Sequence, residues 1–182
     1  MEFSLWLMPK ADTAARIYQS IDYFSKKHGG PVFPTHCTLL GSTGKDFAGT
    51  MKGAETLAAQ LERHYIRFDK VSFKDAYFQC VFLLCEKGEK LLEARSAAEK
   101  IFQIPAQQYM PHVSLMYSDV DTEIRTAAVS EAKERLFGES CGDEEVKLIE
   151  PGFWAESLQV WRVFPKDKKL ESWENVGEFK LS

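Results

Sequence analysis

The sequence contains the same short motif twice, and a proline comes shortly before the histidine of each copy. PTHCTLL includes His36 and Thr38, and MPHVSLM includes His112 and Ser114; the two histidines are 76 positions apart (112 minus 36). Side chains at i and i+2 of a strand share a face, so each copy predicts an imidazole and a hydroxyl on one surface. The opposite face then anchors the strand in the core. These core-facing residues are Cys37, Leu39, Val113 and Leu115. The repetition predicts two similar halves.

The spacing of hydrophobic residues predicts both helices and strands along the chain. Helical spacing is found from Ala11 to about Lys27, Ala54 to about Arg63, Glu89 to Phe102, and about Thr122 to Phe137. Strands are predicted at FSLWLM, HCTLLG, IRFDKVSFK, YFQCVFLLC, HVSLMYS, VKLIE, LQVWRVF and GEFKL, with the third and fourth forming a hairpin. Clusters of Gly, Ser and charge predict mobile stretches at Ser42 to Gly53 and Gly138 to Glu145. The fold class is therefore α+β.

Composition narrows the class of partner. With 45% hydrophobic residues, the chain of 182 residues can bury one core, so residues 1–182 are expected to form a single domain. A formal charge of -4 argues against a surface for long nucleic acids, which are held chiefly by Lys and Arg. The segment MEFSLWLMPK fits neither a signal peptide nor a membrane span. We expect a cytoplasmic monomer that acts on a small molecule and has no membrane partner.

No metal or cofactor is expected. The four cysteines form no CxxC pair and have no metal-ligand spacing, and we expect buried thiols, although one functional or oxidised pair stays open. Two histidines are enough to hydrolyse a cyclic phosphodiester. One imidazole takes a proton from the attacking water and the other protonates the departing ribose oxygen. Hydroxyls of Thr38 and Ser114 would hold the non-bridging oxygens.

The two motifs, HCTL and HVSL, resemble those of the 2H phosphoesterase superfamily, which carry H-x-[ST]-hydrophobic. Within it, FSLWLMP, FPTHCTLLG and PHVSLMY are most similar to segments of the plant and fungal cyclic nucleotide phosphodiesterases. Cys37 stands where aliphatic or hydroxyl residues are equally acceptable. The resemblance implies a bilobal fold with pseudo-twofold symmetry: two antiparallel sheets around a central cleft, with helices outside. It also implies hydrolysis of ADP-ribose 1'',2''-cyclic phosphate to ADP-ribose 1''-phosphate, and of nucleoside 2',3'-cyclic phosphates to 2'-phosphates.

Aromatic residues are the candidates for substrate binding. The resemblance implies an aromatic after the second motif that contacts the nucleotide, which is Tyr117 here, although its odd offset from His112 needs a bend in the strand. Trp6 on the first strand is a candidate base or ribose contact. Trp154 and Trp161 are expected in the core. The other two histidines, His28 and His64, are expected to be structural residues at helix ends.

Three alternatives compete with this enzyme. A metal-dependent hydrolase lacks the three or four convergent ligands that it needs. A non-catalytic nucleotide-binding module would use the same cleft but would not need both imidazoles. An RNA-end 2',3'-cyclic phosphodiesterase uses the same chemistry, and the acidic net charge counts only modestly against it. The last two stay open at this stage.

Overall fold

In the computed structural model, which describes residues 1–138, 146–166, 168 and 170–182, four helices pack against one antiparallel sheet. The strands are β1 (Glu2–Pro9), β2 (Cys37–Leu40), β3 (His64–Phe73), β4 (Val81–Cys85), β5 (His112–Met116), β6 (Gly152–Val163) and β7 (Glu174–Lys180). The helices are α1 (Ala11–His28), α2 (Phe47–Ala58), α3 (Glu89–Phe102) and α4 (Thr122–Phe137). Short 3₁₀ turns cover Tyr77–Gln79 and Leu170–Ser172.

Strands β1 to β6 form a closed ring, and β7 pairs with β6 outside it. Their order is β1-β2-β5-β4-β3-β6-β7, and β1 also pairs with β6. The β1–β6 ladder is long, from Glu2 opposite Val163 to Pro9 opposite Ala155, whereas β2 meets β5 through Cys37 opposite Val113. The expected α+β class is confirmed. The two expected antiparallel sheets are joined into one, through β2 and β5 and through β3 and β6.

Pseudo-twofold symmetry is present in the strand order. The first half runs β1-α1-β2-α2-β3 and the second runs β4-α3-β5-α4-β6. Exchanging the halves maps the ring β1-β2-β5-β4-β3-β6 onto itself, with an axis between β2 and β5. These two central strands carry the repeated motifs. The symmetry therefore brings two segments that are distant in sequence side by side.

Helix boundaries follow local chemistry. On α1, Ile17, Ile21 and Phe24 recur at helical spacing and are fully buried. The helix ends at Gly29, whose φ of 71° is the left-handed conformation that glycine adopts without strain. The predicted bounds of α1, α3 and α4 are confirmed to within a residue.

Several local predictions were wrong. Helix α2 starts seven residues earlier than Ala54, because the Asp46 carboxylate caps it by accepting from the Gly49 N–H at 2.8 Å. It therefore covers about half of the stretch expected to be mobile. The YFQ segment forms a 3₁₀ turn, and residues 146–150, the VKLIE segment, form turns and bends rather than a strand. His64 begins β3 instead of ending a helix, and Trp154 is 45% exposed rather than in the core. Of the second stretch expected to be mobile, residues 139–145 lie outside the described residues.

The cysteines match their expected burial where the structure describes them. Cys37, Cys80 and Cys85 are buried free thiols, and Cys141 lies outside the described residues. Cys37, Leu39, Val113 and Leu115 are fully buried, as the alternation in the motifs predicted. Across the described part of the chain, none of the helices is long and apolar enough to cross a membrane.

Candidate active site

The two motif strands present their polar residues to one cleft. His36, Thr38 and His112 line a cavity of about 220 Å³, and the cavity wall also includes Trp6 and Tyr117. The pairing explains this convergence. Cys37 lies opposite Val113 in antiparallel strands, and continuing that register places His36 beside Ser114 and Thr38 beside His112. Each imidazole is therefore the cross-strand neighbour of the other motif's hydroxyl residue.

Both imidazoles are oriented in the same way. Nδ1 of His36 lies 2.6 Å from the Pro34 carbonyl oxygen, and Nδ1 of His112 lies 2.9 Å from that of Met110. A carbonyl oxygen only accepts, so each Nδ1 carries the proton and the neutral ring keeps a lone pair on Nε2. Each histidine bonds the carbonyl two residues before it, where the proline-containing segment leads into the strand. The repeated local sequence thus produces two imidazoles in the same tautomer.

Both histidines lie in surroundings that disfavour the charged form of the ring. Burial lowers the pKa of His36 to about 4; the hydrogen bond to Pro34 opposes this shift, and the nearby His112 adds to it. Burial also lowers the pKa of His112, with a smaller contribution in the same direction from the Lys74 ammonium. His36 is 4% exposed and His112 is half-buried. An anion between the rings would favour the protonated form of either one.

Trp6 lies in the cavity wall, but both faces of its ring are covered. The His36 imidazole is stacked on it with centroids 3.5 Å apart and planes within 9°, and Trp161 is stacked on it at 4.4 Å. The indole N–H donates to Ser4 Oγ at 2.9 Å, and that hydroxyl donates to the Leu40 carbonyl at 3.0 Å. A substrate base cannot stack on either face, so the contact predicted for Trp6 is limited to its edge. Its stacking instead fixes the plane of the His36 ring.

Tyr117 and Ser114 lie together at the other end of the second motif. Tyr117 also lines the cavity, as its predicted role requires, and its ring stacks on Phe33 at 3.8 Å. Burial raises the pKa of its phenol, while a hydrogen bond with Ser114 opposes this shift. Ser114 is buried, its Oγ donates to the Phe78 carbonyl at 3.3 Å, and it is not among the residues that line the described cavities. Of the four motif side chains, three therefore face the cleft directly.

Two side chains hold the β2 backbone at the site. Tyr109 Oη donates to the Thr38 carbonyl at 3.0 Å, and Arg95 Nη1 donates to the Leu39 carbonyl at 2.7 Å. Arg95 also lies over the Tyr109 ring and pairs with Glu99 at 2.8 Å. Both residues come from α3 and the segment after it. They fix the position of Thr38 without facing the cavity of the two histidines.

A second cavity, of about 320 Å³, adjoins the first. The two cavities share Thr38, Gln79 and His112 as lining residues. Small-molecule sites are typically about 300 to 1,000 Å³, so the two cavities together form one cleft of suitable size. The first cavity is largely aromatic and its lining includes Phe78 and Trp173, whereas the second is polar.

Several lining residues were missed by the sequence analysis. Phe78, Gln79 and Trp173 lie in segments with no repeated pattern, and the 3₁₀ turn that carries the first two had been predicted as strand. Among the described residues, no group of three or more His, Cys, Asp or Glu side chains is arranged to hold a metal ion.

Comparison with known proteins identifies the family. Residues 1–181 match the family model for cyclic phosphodiesterase-like protein. The chain belongs to this family. The expected resemblance to the 2H phosphoesterases is thereby confirmed. The chain is also 26% identical to a cyclic phosphodiesterase of Arabidopsis thaliana over 181 residues, which are 99% of this chain and 95% of the relative.

Solved structures share the fold of this family member at low identity. E. coli LigT complexed with phosphate matches with a TM-score of 0.58 and 11% identity, covering 100% of this chain and 97% of LigT. TT0787 of Thermus thermophilus matches with a TM-score of 0.60 and 15% identity, covering 100% and 98% of the two chains.

Proposed function

We propose that this protein is a cyclic phosphodiesterase that works with two histidines and no metal. It opens nucleoside 2',3'-cyclic phosphates to 2'-phosphates, and ADP-ribose 1'',2''-cyclic phosphate to ADP-ribose 1''-phosphate. The observation that carries the proposal is the pair of imidazoles, His36 and His112, each with Nδ1 bonded to a carbonyl and both lining one cleft with Thr38. Similarity to the Arabidopsis thaliana cyclic phosphodiesterase supports the same reaction class.

The reaction needs two proton transfers on opposite sides of phosphorus. A neutral imidazole takes a proton from water as the water oxygen bonds to phosphorus, and the second imidazole, in its protonated form, donates to the 3' oxygen as the P–O3' bond breaks. The product is a 2'-phosphate. Water supplies the new oxygen and one proton, and the two imidazoles have exchanged protonation states at the end of the step.

We assign the base role to His36 and the acid role to His112. The pKa of His36 is lowered to about 4, so this ring is neutral throughout the physiological range, and with Nδ1 bonded to Pro34 its lone pair is on Nε2. His112 is more accessible, and the bound phosphate anion would raise its pKa and protonate it. The substrate itself would therefore prepare the acid.

The hydroxyls stabilise charge on the non-bridging oxygens in this proposal. Thr38 lines both cavities and lies beside His112, so its hydroxyl is placed to donate to the phosphate. Ser114 donates to the Phe78 carbonyl, and binding phosphate would exchange that acceptor for an anionic oxygen. Tyr117 contributes to the wall of the nucleotide site.

A small nucleotide fits this cleft better than a long polymer. LigT structures have been solved with phosphate, 3'-AMP and ATP. The acidic net charge of the present chain and the modest size of the cleft support a small substrate. A binding-only module would not require two imidazoles that each have a lone pair available on Nε2.

Single substitutions test the assignment. His36→Ala and His112→Ala should each lower kcat on adenosine 2',3'-cyclic phosphate by at least about 100-fold, since each removes a general acid or base. His64→Ala is the matched control: His64 also begins a strand and bonds the carbonyl two residues before it, at 3.0 Å, but lies outside the cleft. This control should keep its activity, and a chelator should leave all rates unchanged. Near-normal turnover in either cleft variant would overturn the mechanism.

A further inference from the structure

The connection between β3 and β4 forms part of the cleft wall. Its 3₁₀ turn, Tyr77–Gln79, carries Phe78 and Gln79, and both line the cavity of the two histidines. Gln79 also lines the second cavity, a property that it shares with Thr38 and His112. In the proposed function the phosphate is bound next to these two motif residues, so Gln79 would lie beside it.

The same turn is linked to the second motif. Ser114 Oγ donates to the Phe78 carbonyl at 3.3 Å. The Phe78 ring packs edge-on against Tyr117, with centroids 5.2 Å apart, and lies 5.7 Å from the ring of Trp173. A shift of the turn would therefore move the acceptor of the Ser114 hydroxyl together with the aromatic wall of the cavity.

The connection itself supplies two backbone hydrogen bonds to the turn. The Lys74 N–H donates to the Gln79 carbonyl at 2.9 Å, and the Gln79 N–H donates to the Ala76 carbonyl at 3.1 Å. Lys74, Asp75 and Ala76 are exposed. A short 3₁₀ turn has poorer hydrogen-bond geometry than an α-helix, so we expect contacts from neighbouring elements to fix its position.

Arg125 of α4 supplies such contacts at both ends of the turn. Its Nη1 donates to Asp75 Oδ1 at 2.5 Å, two residues before the turn begins. The buried Cys80 directly follows the turn; burial raises the pKa of its thiol, and a hydrogen bond with Arg125 opposes this rise. A guanidinium has five N–H donors in a fixed planar arrangement, so one side chain can bind two groups at once. Helix α4 is therefore connected to both sides of residues 77–79.

The surroundings of Arg125 are not those of an ordinary surface arginine. Its side chain is 4% exposed, whereas that of its partner Asp75 is 95% exposed. Its Nε is buried and has no hydrogen-bond partner among the described residues. A buried donor without a partner costs free energy, and an apolar side chain at this position would not have that cost. Stability alone therefore does not account for an arginine here.

We propose that Arg125 is a positioning residue of the active site, which holds both ends of the turn so that Gln79 lies beside the reacting phosphate and the Phe78 carbonyl stays within reach of Ser114. This inference rests on the proposed function and adds to it a residue on α4. Arg125 does not line either cavity of the cleft, so it acts through the turn and not by contact with the substrate.

Product binding and amide hydrogen exchange test the inference without relying on turnover. Arg125→Met keeps a long unbranched side chain but removes the guanidinium. Calorimetry with adenosine 2'-phosphate should show a Kd about tenfold higher than in the wild type, as expected for the loss of a hydrogen bond to a charged group. Amide exchange in residues 74–80 should become about tenfold faster, whereas β5 should exchange as before.

Arg135→Met is the matched control. Arg135 lies on the same helix and its Nε also has no partner in the described part of the chain, but its guanidinium lies over the Tyr23 ring of α1, at 3.9 Å. This variant should leave both the Kd and the exchange of residues 74–80 unchanged.

Kinetics distinguish a positioning role from a general loss of stability. On adenosine 2',3'-cyclic phosphate, Arg125→Met should raise KM about tenfold and leave the pH profile of kcat unchanged, because the carbonyl partners of both imidazoles belong to other segments. A variant that was merely less stable would have a lower urea midpoint but the same KM for its folded fraction. Asp75→Ala should reproduce part of the effect. The double variant should be no worse than Arg125→Met alone, since both substitutions break the same link.

Two results would overturn the inference and leave the histidine chemistry intact. One is an unchanged Kd and unchanged exchange in folded Arg125→Met. If that variant does not fold, Arg125→Lys and Asp75→Ala replace it. Lysine can still pair with Asp75 but has no second arm for Cys80, so an intermediate Kd is expected, and an unchanged Kd in both variants is the second contrary result. Conversely, weaker product binding by Arg125→Met, with no turnover of any cyclic phosphate by the wild type, would support the positioning role and refute the enzyme.

Discussion

Replacing the buried histidine with asparagine should change how stability depends on pH. His36 is 4% exposed and its pKa is lowered to about 4, whereas a histidine in an unfolded chain titrates near 6.5. As the pH falls below about 6.5, the unfolded state takes up a proton that the folded state excludes, so folding loses free energy until about pH 4. Above this pH range, His36 does not contribute to the pH dependence of folding stability.

The magnitude follows from these two pKa values. Linkage gives a loss of about 2 kcal/mol in the free energy of unfolding between about pH 7 and about pH 4.5. His36→Asn removes this ionisation, and the amide can still donate to the Pro34 carbonyl. The variant should therefore lose about 2 kcal/mol less than the wild type across the same interval. Urea unfolding at the two pH values, followed by tryptophan fluorescence, measures the difference.

Trp6→Phe is the control for this experiment. It removes the indole N–H bond to Ser4 and part of the stacking on His36, so it should lower stability at both pH values. It retains the ionisable ring, so the pH dependence should remain. Equal losses in the wild type and His36→Asn would refute the reasoning. They would mean that the buried imidazole takes up a second proton as readily as a histidine of the unfolded chain.

Two further predictions concern Lys74 and the core. Lys74→Gln removes a cation that lowers the pKa of His112, so the pKa of that ring should rise, and the high-pH limb of the kcat/KM profile should move to higher pH. An NMR titration of the His112 ring protons measures this shift, and a fall in pKa would contradict it. Phe24→Ala on the buried face of α1 should cost about 3 to 5 kcal/mol of unfolding free energy, whereas Tyr18→Ala on the same helix, 45% exposed, should stay within about 0.5 kcal/mol. Similar urea midpoints for the two variants would contradict the assigned core.

The candidate site separates what local pattern predicts from what packing decides. The alternation in HCTL and HVSL predicted that Cys37 and Val113 face the core, and both are fully buried. The same alternation predicted His36 and Thr38 on one face, and both line the cleft. The covering of Trp6 by His36 and Trp161 was not predictable, because it depends on β1 pairing with a strand some 150 residues away (157 minus 8).

Errors in the predicted elements have the same origin. The VKLIE segment has the composition of a strand but forms turns, since an apolar run becomes a strand only where a neighbour offers hydrogen bonds. The start of helix α2 was predicted too late in the sequence. Asp46, which caps the helix, lies outside the apolar pattern from which the helix was predicted.

The sequence by itself determined the α+β alternation, the two strands with imidazole and hydroxyl on a common face, and the likeness of the two halves. These features depend on side chains within a few positions of one another. Only the tertiary structure decided that β2 and β5 are neighbours, that Trp6 stacks on His36, and that Lys74 and Lys87 line the same cavity as His112. Those contacts join segments far apart in the chain, and their geometry is set by how the whole ring of strands closes.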